Sequence, residues 1–334
     1  MPAAADVSGC LLPRSMASQL QLLQALPVIN IGRLGDKDPA ARALVVQDIA
    51  RACLDRGCFQ VVNHGVSESA MDGAMAAAAE FFEMSNESKE EFASTDIRHP
   101  VRYDTSSRDG ISKARSFFKH YANPLPDWVS FWPLQPPSYR EKMGEYAMAI
   151  QDLSVQLMGA IVQGLGLEPK YLQQELTEGL QFMALNNYPQ GSSSLAPTES
   201  IGLAPHSDYG FLTILLQSSP GLEVLHHDDA AWTPVPAIRG ALHVHLGDHL
   251  EVLSNGRLRS LVHRAVLNNN ESRISIASIH GVAMGEKVEC AEGLVDEGHP
   301  RLYKASSFHD FLEFLPTNVK ACRRFVETLK IDTA

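Results

Sequence analysis

His206-Ser207-Asp208 places an imidazole and a carboxylate two residues apart, just ahead of the apolar run Phe211–Leu216. In an extended chain, side chains two apart project to one face, so His206 and Asp208 are expected to point together and Ser207 away. An imidazole and a carboxylate are two of the three protein ligands of a 2-His-1-carboxylate centre, which leaves coordination positions open on ferrous iron. The third ligand has to come from another strand. His263, in the run Ser260–Val266 and 55 residues beyond Asp208, is the candidate. Ten residues later, Arg273 and Ser275 make a second pair two apart in a β-rich run. A guanidinium fork beside a hydroxyl suits a carboxylate held through two parallel hydrogen bonds. A single His-x-Asp is common in turns; it is the spacing to His263 and Arg273 that gives this one meaning.

The period of the apolar positions indicates the elements that must hold these residues. Pro27–Ile31 reads as a short strand, and Asp36–Pro39 opens a helix that Gly57 stops. Phe59–Asn63 is a second strand, Glu68–Glu91 a second helix and Tyr139–Leu165 a long amphipathic one. Residues 92–140 carry prolines at 100, 124, 126, 133, 136 and 137 without a sustained period and read as irregular. Beyond residue 180 the chain changes character. Short β-rich runs at 182–188, 212–216, 222–225, 241–246, 260–266 and 273–279 alternate with turn clusters such as Ser254-Asn255-Gly256. That rhythm predicts a jelly roll or barrel rather than βαβ units. Residues 306–326 read as a C-terminal helix.

The order and spacing of His-x-Asp, the distal histidine and Arg-x-Ser resemble those of the iron(II)/2-oxoglutarate-dependent dioxygenases of plants. The likeness spans nearly the whole chain. Pro27–Ile31 and Phe59–Gly65 look like that family's N-terminal signature, and Ser254-Asn255-Gly256 resembles its hairpin before the distal histidine. Asn186-Asn187-Tyr188-Pro189 is similar to the family's Asn-Tyr-Tyr-Pro segment, departing from it at Asn187. Within the group, the chain looks most like the flavanone 3-hydroxylase and downy-mildew-resistance oxygenase clade.

The resemblance implies an α+β fold: a double-stranded β-helix (jelly-roll) core with N-terminal helices packed around it and a C-terminal helix. The corresponding divisions are a lead-in at 1–26, a helical region at 27–175, the catalytic core at 176–305 and a helix and tail at 306–334. It implies that His206, Asp208 and His263 bind Fe(II). The 2-oxoglutarate co-substrate would chelate the iron, with its far carboxylate on Arg273 and Ser275 and with Tyr188 and Asn186 seating it. Oxygen is the oxidant, succinate and CO2 are the co-products, and ascorbate is a stimulant. A carboxylate at Asp208 fits a hydroxylase or desaturase rather than the halogenating variants that lack this ligand. Two segments depart from family habit where the family lines its substrate pocket. Ala114–Phe117 replaces a Trp-x-Asp-aromatic string, and Ile279 stands where many flavonoid enzymes place phenylalanine. Tyr103, Phe117, Phe118, Ile279 and His280 are accordingly the expected substrate contacts. The expected substrate is a flavonoid, phenolic, indole or terpenoid hormone.

Composition narrows the alternatives. The 334 residues are 45% apolar and 20% charged, enough for one large or two small globular domains, and the net charge of −11 disfavours nucleic acid. The longest apolar runs are strand-sized, so no membrane span is expected. The five cysteines are scattered without a CxxC, which suits a reducing compartment; Cys53 and Cys58 read as small buried hydrophobes. Met1–Gln21, with Asp6 and Arg14 as its only charges, reads as a lead-in rather than a targeting peptide, giving a cytosolic protein, and a monomer is expected. His243-x-His245 offers a competing imidazole pair, read as core or as support for the ligands, and His226–Asp229 reads as a solvated tip. Three other functions stay open: a 2-oxoglutarate-independent oxidase of the ethylene-forming type, a catalytically idle metabolite-binding protein, and a zinc hydrolase. The last leaves Arg273 and Ser275 without a purpose.

Overall fold

Helix signals in the sequence are used where they occur. The computed structural model describes residues 26–105, 115–191, 200–226, 231–318 and 323–331. Helix α1 (Pro39–Arg56) starts at Asp38, whose side chain accepts a hydrogen bond from the Ala40 amide at 3.0 Å, and ends at Gly57 with φ +66°. Aspartate satisfies an amide that the first turn leaves open, and glycine takes the left-handed cap without a Cβ clash. Helix α2 (Glu68–Glu83) is capped by Ser67 and ends eight residues before the expected Glu91, with a separate turn at Asn86–Glu90. Helix α3 (Tyr139–Gly164) packs against both.

These helices cover one face of an eight-stranded sheet. Its order is β1 (Val28–Asn30), β2 (Cys58–Val62), β10 (Leu242–Leu246), β7 (Leu212–Gln217), β12 (Arg273–His280), β5 (Gln181–Tyr188), β4 (Ser116–Asn123) and β3 (Val101–Thr105). A four-stranded sheet faces it: β6 (Ile201–His206), β11 (His263–Val266), β8 (Leu222–Leu225) and β9 (Trp232–Pro234). Among the described residues only β1 and β2 pair in parallel; the remaining ladders are antiparallel. This is the jelly-roll α+β arrangement expected.

Period-2 alternation sorts each strand of the large sheet into a core face and a cavity face. On β10, Leu242, Val244 and Leu246 join the core under the helices, while His243 and His245 point the other way. On β12, Ile276 lies in that core, whereas Arg273, Ser275, Ala277 and Ile279 line the space between the sheets.

Several local expectations are corrected. Residues 92–140 are not wholly irregular, because β3 and β4 extend the large sheet. Their alternation is masked in the sequence, since Lys119 faces a cavity and His120 is buried against Trp132. Strand β6 ends at His206, so Asp208 lies on the loop beyond it. Ser254-Asn255-Gly256 closes the short helix Asp248–Leu253, with Asn255 and Gly256 at positive φ, rather than forming a hairpin. The C-terminal segment holds two helices, Phe308–Asn318 and Phe325–Leu329, in place of one. Residues 1–25 and His227-Asp228-Asp229 lie outside the described residues. Cys53, Cys58 and Cys290 are buried free thiols, and burial pushes the Cys58 thiol up to about 12. No helix among the described residues is long and apolar enough to cross a membrane.

Candidate active site

Strand pairing explains how histidines 57 residues apart meet. Antiparallel β6 and β11 place His206 directly opposite His263, and their ring centroids are 4.3 Å apart. Asp208 reaches the same point from its loop. The start of helix Asp248–Leu253 fixes that loop: the Asp248 amide donates to the Asp208 carbonyl at 2.8 Å, and the His249 amide to the Tyr209 carbonyl at 3.0 Å. Gly247 permits the approach, since a Cβ there would sit 2.2 Å from the Gly210 carbonyl oxygen.

The two oxygens of Asp208 are differentiated. Oδ1 lies 3.6 Å from His206 Nε2 and 3.9 Å from His263 Nε2. Oδ2 instead accepts hydrogen bonds from Thr213 Oγ1 at 2.5 Å and from His245 Nε2 at 2.9 Å. The Nδ1 atoms of His206 and His263 donate to the carbonyls of Ala204 and Leu261 at 2.9 and 3.2 Å. Those bonds set the tautomer and leave both Nε2 lone pairs facing Oδ1. One ligand atom from each of the three residues falls within 4.8 Å of the others.

Electrostatics suit a cation at this point. Burial holds His206 below the ordinary imidazole value and His263 well below it, so both favour the neutral form that ligates. Burial alone raises the Asp208 carboxyl, but His263, His245 and His206 outweigh it and hold the group well below the usual carboxylate range.

The four candidate co-substrate residues form two adjacent cross-strand pairs, Arg273 opposite Tyr188 and Ser275 opposite Asn186. Arg273 is 2% exposed; it donates to the Ser219 carbonyl at 3.0 Å and to Gln217 Oε1 at 2.9 Å, and lies over the Tyr188 ring. No described carboxylate is within ion-pairing distance of Arg273, so a buried cation faces the cavity without a counter-charge. A Cβ on Gly202 would meet the Tyr188 ring at 2.6 Å, and one on Gly221 the Arg273 Cδ at 2.7 Å. Both glycines leave room for these side chains.

The cavity that holds both groups has a volume of about 360 Å³, within the range of small-molecule sites. Of the expected substrate contacts, Ile279 lines it. Three others do not. Phe118 is fully buried 4.3 Å from the Phe81 ring, on the core face of β4. Tyr103 packs edge-on against the same Phe81 ring. His280 falls on the core face of β12, where its Nδ1 meets Gln151 Oε1 of α3 at 2.9 Å. Phe117 does not line the cavity either: it is buried, and Arg102, Arg115 and Lys119 surround its ring at 5.2, 4.8 and 4.9 Å. Thr213 and Lys119 are not candidates in the sequence, and Arg115 enters only within the Ala114–Phe117 segment. Their signal was parity: each lies an even number of residues from another residue on its strand's cavity face.

The chain matches the 2OG-Fe(II) oxygenase superfamily model over residues 180–281 and the model "non-haem dioxygenase in morphine synthesis N-terminal" over 26–145. It is 71% identical to the rice (Oryza sativa subsp. japonica) "2-oxoglutarate-dependent dioxygenase 21, chloroplastic", over 92% of this chain and 91% of that one. The chain belongs to the 2OG-Fe(II) oxygenase superfamily. It is also 56% identical to rice "Flavanone 3-dioxygenase 3", over 92% and 93% of the two chains. Among solved structures, JOX2 in complex with 2OG, Fe and JA superposes with a TM-score of 0.80 at 28% identity, over 92% of this chain and 89% of that one. The rice dioxygenase for auxin oxidation superposes at 0.76 and 26% identity, over 92% and 100%. As a 2-oxoglutarate-dependent dioxygenase the protein is an oxidoreductase whose cofactor is Fe(II) and whose co-substrate is 2-oxoglutarate. The donor set fits that metal: two neutral imidazoles and one carboxylate oxygen converge, with open space beside them. The uncompensated Arg273 fits a dicarboxylate.

Proposed function

We propose that this dioxygenase hydroxylates or desaturates a small, largely apolar plant metabolite in the cavity between its two sheets. His206, Asp208 and His263 are assigned as the iron ligands, and Arg273, Ser275, Tyr188 and Asn186 as the co-substrate residues. The observation that carries the reading is the placement of the uncompensated Arg273 in the same cavity as the three converging ligand atoms. Bound Fe(II) supplies the activation of oxygen, driven by oxidative decarboxylation of 2-oxoglutarate to succinate and CO2.

The chain's own residues do the positioning. Arg273 anchors the far carboxylate through its fork, and Gln217 and the Ser219 carbonyl hold that fork still. Thr213 and His245 hold the Oδ2 of Asp208, so that Oδ1 is presented to the metal. Phe308, Phe311 and Leu312, from the C-terminal segment, give the cavity an apolar surface on which a substrate body can rest.

The names of relatives cover flavanones, auxin and jasmonate, which keeps flavonoids, phenolics, indoles and terpenoid hormones as the candidate substrates of a monomeric enzyme. A screen of these classes, read by substrate-dependent succinate formation and product mass, tests the proposal. Turnover without 2-oxoglutarate would replace it with the ethylene-forming type of oxidase. The compartment turns on the first 25 residues. Read as a lead-in they leave the protein in the cytosol, whereas the 71%-identical rice relative is named chloroplastic. Imaging a full-length fluorescent fusion separates the two.

A further inference from the structure

One wall of the cavity is built from cations that neither the metal centre nor Arg273 requires. Arg115, just before β4, and Lys119 within it line the cavity, and the buried Phe117 lies between them in sequence. Arg102 of β3 lies opposite Lys119 in the ladder and lines the same cavity. The three charges thus crowd around one aromatic ring, each about 5 Å from its centroid. Two of them lack local neutralisation. Arg115 donates from Nη1 to Asn186 Oδ1 at 3.1 Å, but its Nε is buried without a hydrogen-bond partner among the described residues. Neither Arg115 nor Lys119 has a described carboxylate within ion-pairing distance.

Burying like charges together is costly unless a counter-charge joins them. Arg102, Arg115 and Lys119 are half-buried, and the same factors act on the Lys119 ammonium. Burial, with Arg102 and Arg115 beside it, pushes its ammonium down to about 7, against a weaker upward pull from Asp208 and Asp104. Apolar side chains form another part of the lining, which also holds Arg264, Arg323 and Arg324. Ile279, Phe182 and Leu312 face the cavity, and Phe308 and Phe311 stack on Tyr209 with centroids 4.4 and 4.8 Å apart. An apolar floor beside a cationic wall is the complement of an amphipathic anion.

We propose that the substrate of this site is a small aryl or alicyclic carboxylic acid, its body on the Ile279–Phe308–Phe311 surface and its carboxylate paired with Lys119 and Arg115. The assignment rests on the dioxygenase reading, and it separates the substrate's anion from that of 2-oxoglutarate. The two carboxylates use different strands, β4 for the substrate and β12 for the co-substrate.

The test is calorimetric titration of the full-length protein, loaded with Mn(II) and 2-oxoglutarate without oxygen. Phenylacetate, 3-phenylpropanoate and 1-naphthylacetate are each compared with their primary amides. The acids should bind at least tenfold more tightly than the amides. Lys119→Met and Arg115→Met should erase that preference, and Lys119→Arg should keep it. Titration of 2-oxoglutarate alone into the Mn(II) forms is the second arm, and its affinity should be unchanged in Lys119→Met. Amides binding as well as acids, or no acid binding at millimolar concentration, would overturn the proposal. So would a Lys119→Met variant that loses affinity for 2-oxoglutarate, because the wall would then belong to the co-substrate. Failure of 2-oxoglutarate to bind the wild type at all would instead count against the dioxygenase assignment of these residues.

Discussion

His245 Nε2 lies 2.9 Å from Asp208 Oδ2, the carboxylate oxygen turned away from His206 and His263. The two residues are joined across 37 positions of sequence by the start of helix Asp248–Leu253, which hydrogen-bonds the Asp208 loop directly after β10. Removing a partner that orients a metal ligand typically costs about 10- to 100-fold in metal affinity. His245→Ala should therefore weaken Fe(II) binding by that order, while His245→Gln, which keeps a donor, recovers part of it. Anaerobic iron titration checks this, and wild-type affinity in His245→Ala would show that Thr213 alone suffices.

Arg273 should govern co-substrate rather than metal. Lysine keeps the charge but loses the fork and the bonds to Gln217 and the Ser219 carbonyl. Losing one partner of a buried charge pair costs about 2–5 kcal/mol, and Arg273→Lys should fall toward the lower end. The apparent KM for 2-oxoglutarate should rise at least tenfold with iron content unchanged. A lowered iron content would assign Arg273 to the architecture of the metal site instead.

Ile279 lines the cavity from the same face of β12 as Ser275 and Arg273. Ile279→Phe adds bulk there and should narrow or re-rank the accepted substrates. Decarboxylation of 2-oxoglutarate without substrate should continue. The comparison takes two assays on one variant. Loss of both activities would place Ile279 in support of the metal site.

The depressed Lys119 ammonium gives binding of an anionic substrate a predicted sign with pH. Below about 7 the empty site is already protonated, and affinity should be level. Above it, a bound carboxylate raises the ammonium again, so binding takes up a proton. Affinity should then fall toward tenfold per pH unit until the bound form titrates. Burial first, then Arg102 and Arg115, hold the group down while Asp208 and Asp104 pull it up. Lys119→Arg should remove the decline, because a guanidinium does not titrate in this range. An equal decline in that variant would place the titration elsewhere.

What was legible in the sequence followed from spacing along single strands. Arg273 and Ser275 are two apart, and they pair across the ladder with Tyr188 and Asn186, the other two proposed co-substrate residues. The meeting of His206 with His263 was inferred without the ladder that produces it, and Asp208 reached the site from a loop rather than from the expected strand. The substrate wall was the least legible. Tyr103, Phe118 and His280 are chemically plausible contacts, but each falls on the side of its strand that packs under the helices. Parity cannot be assigned until the strand is known to exist. Residues 92–140 hide two strands behind prolines and cavity-facing charges, so Lys119 has no sequence signal and Arg115 enters only as part of the Ala114–Phe117 departure.

His206, Asp208 and His263 are proposed to hold one ferrous ion on which 2-oxoglutarate chelates. Anaerobic addition of Fe(II) and then 2-oxoglutarate, followed by visible absorption, measures this directly, because keto-acid chelation to ferrous iron gives a charge-transfer band that neither component shows alone. The wild type should develop the band at one iron per chain. Asp208→Ala and His263→Ala, checked for folding by circular dichroism, should not develop it at the same iron concentration, and Arg273→Lys should develop it only at higher 2-oxoglutarate. A full band in either ligand variant, or none in the wild type, would contradict the account.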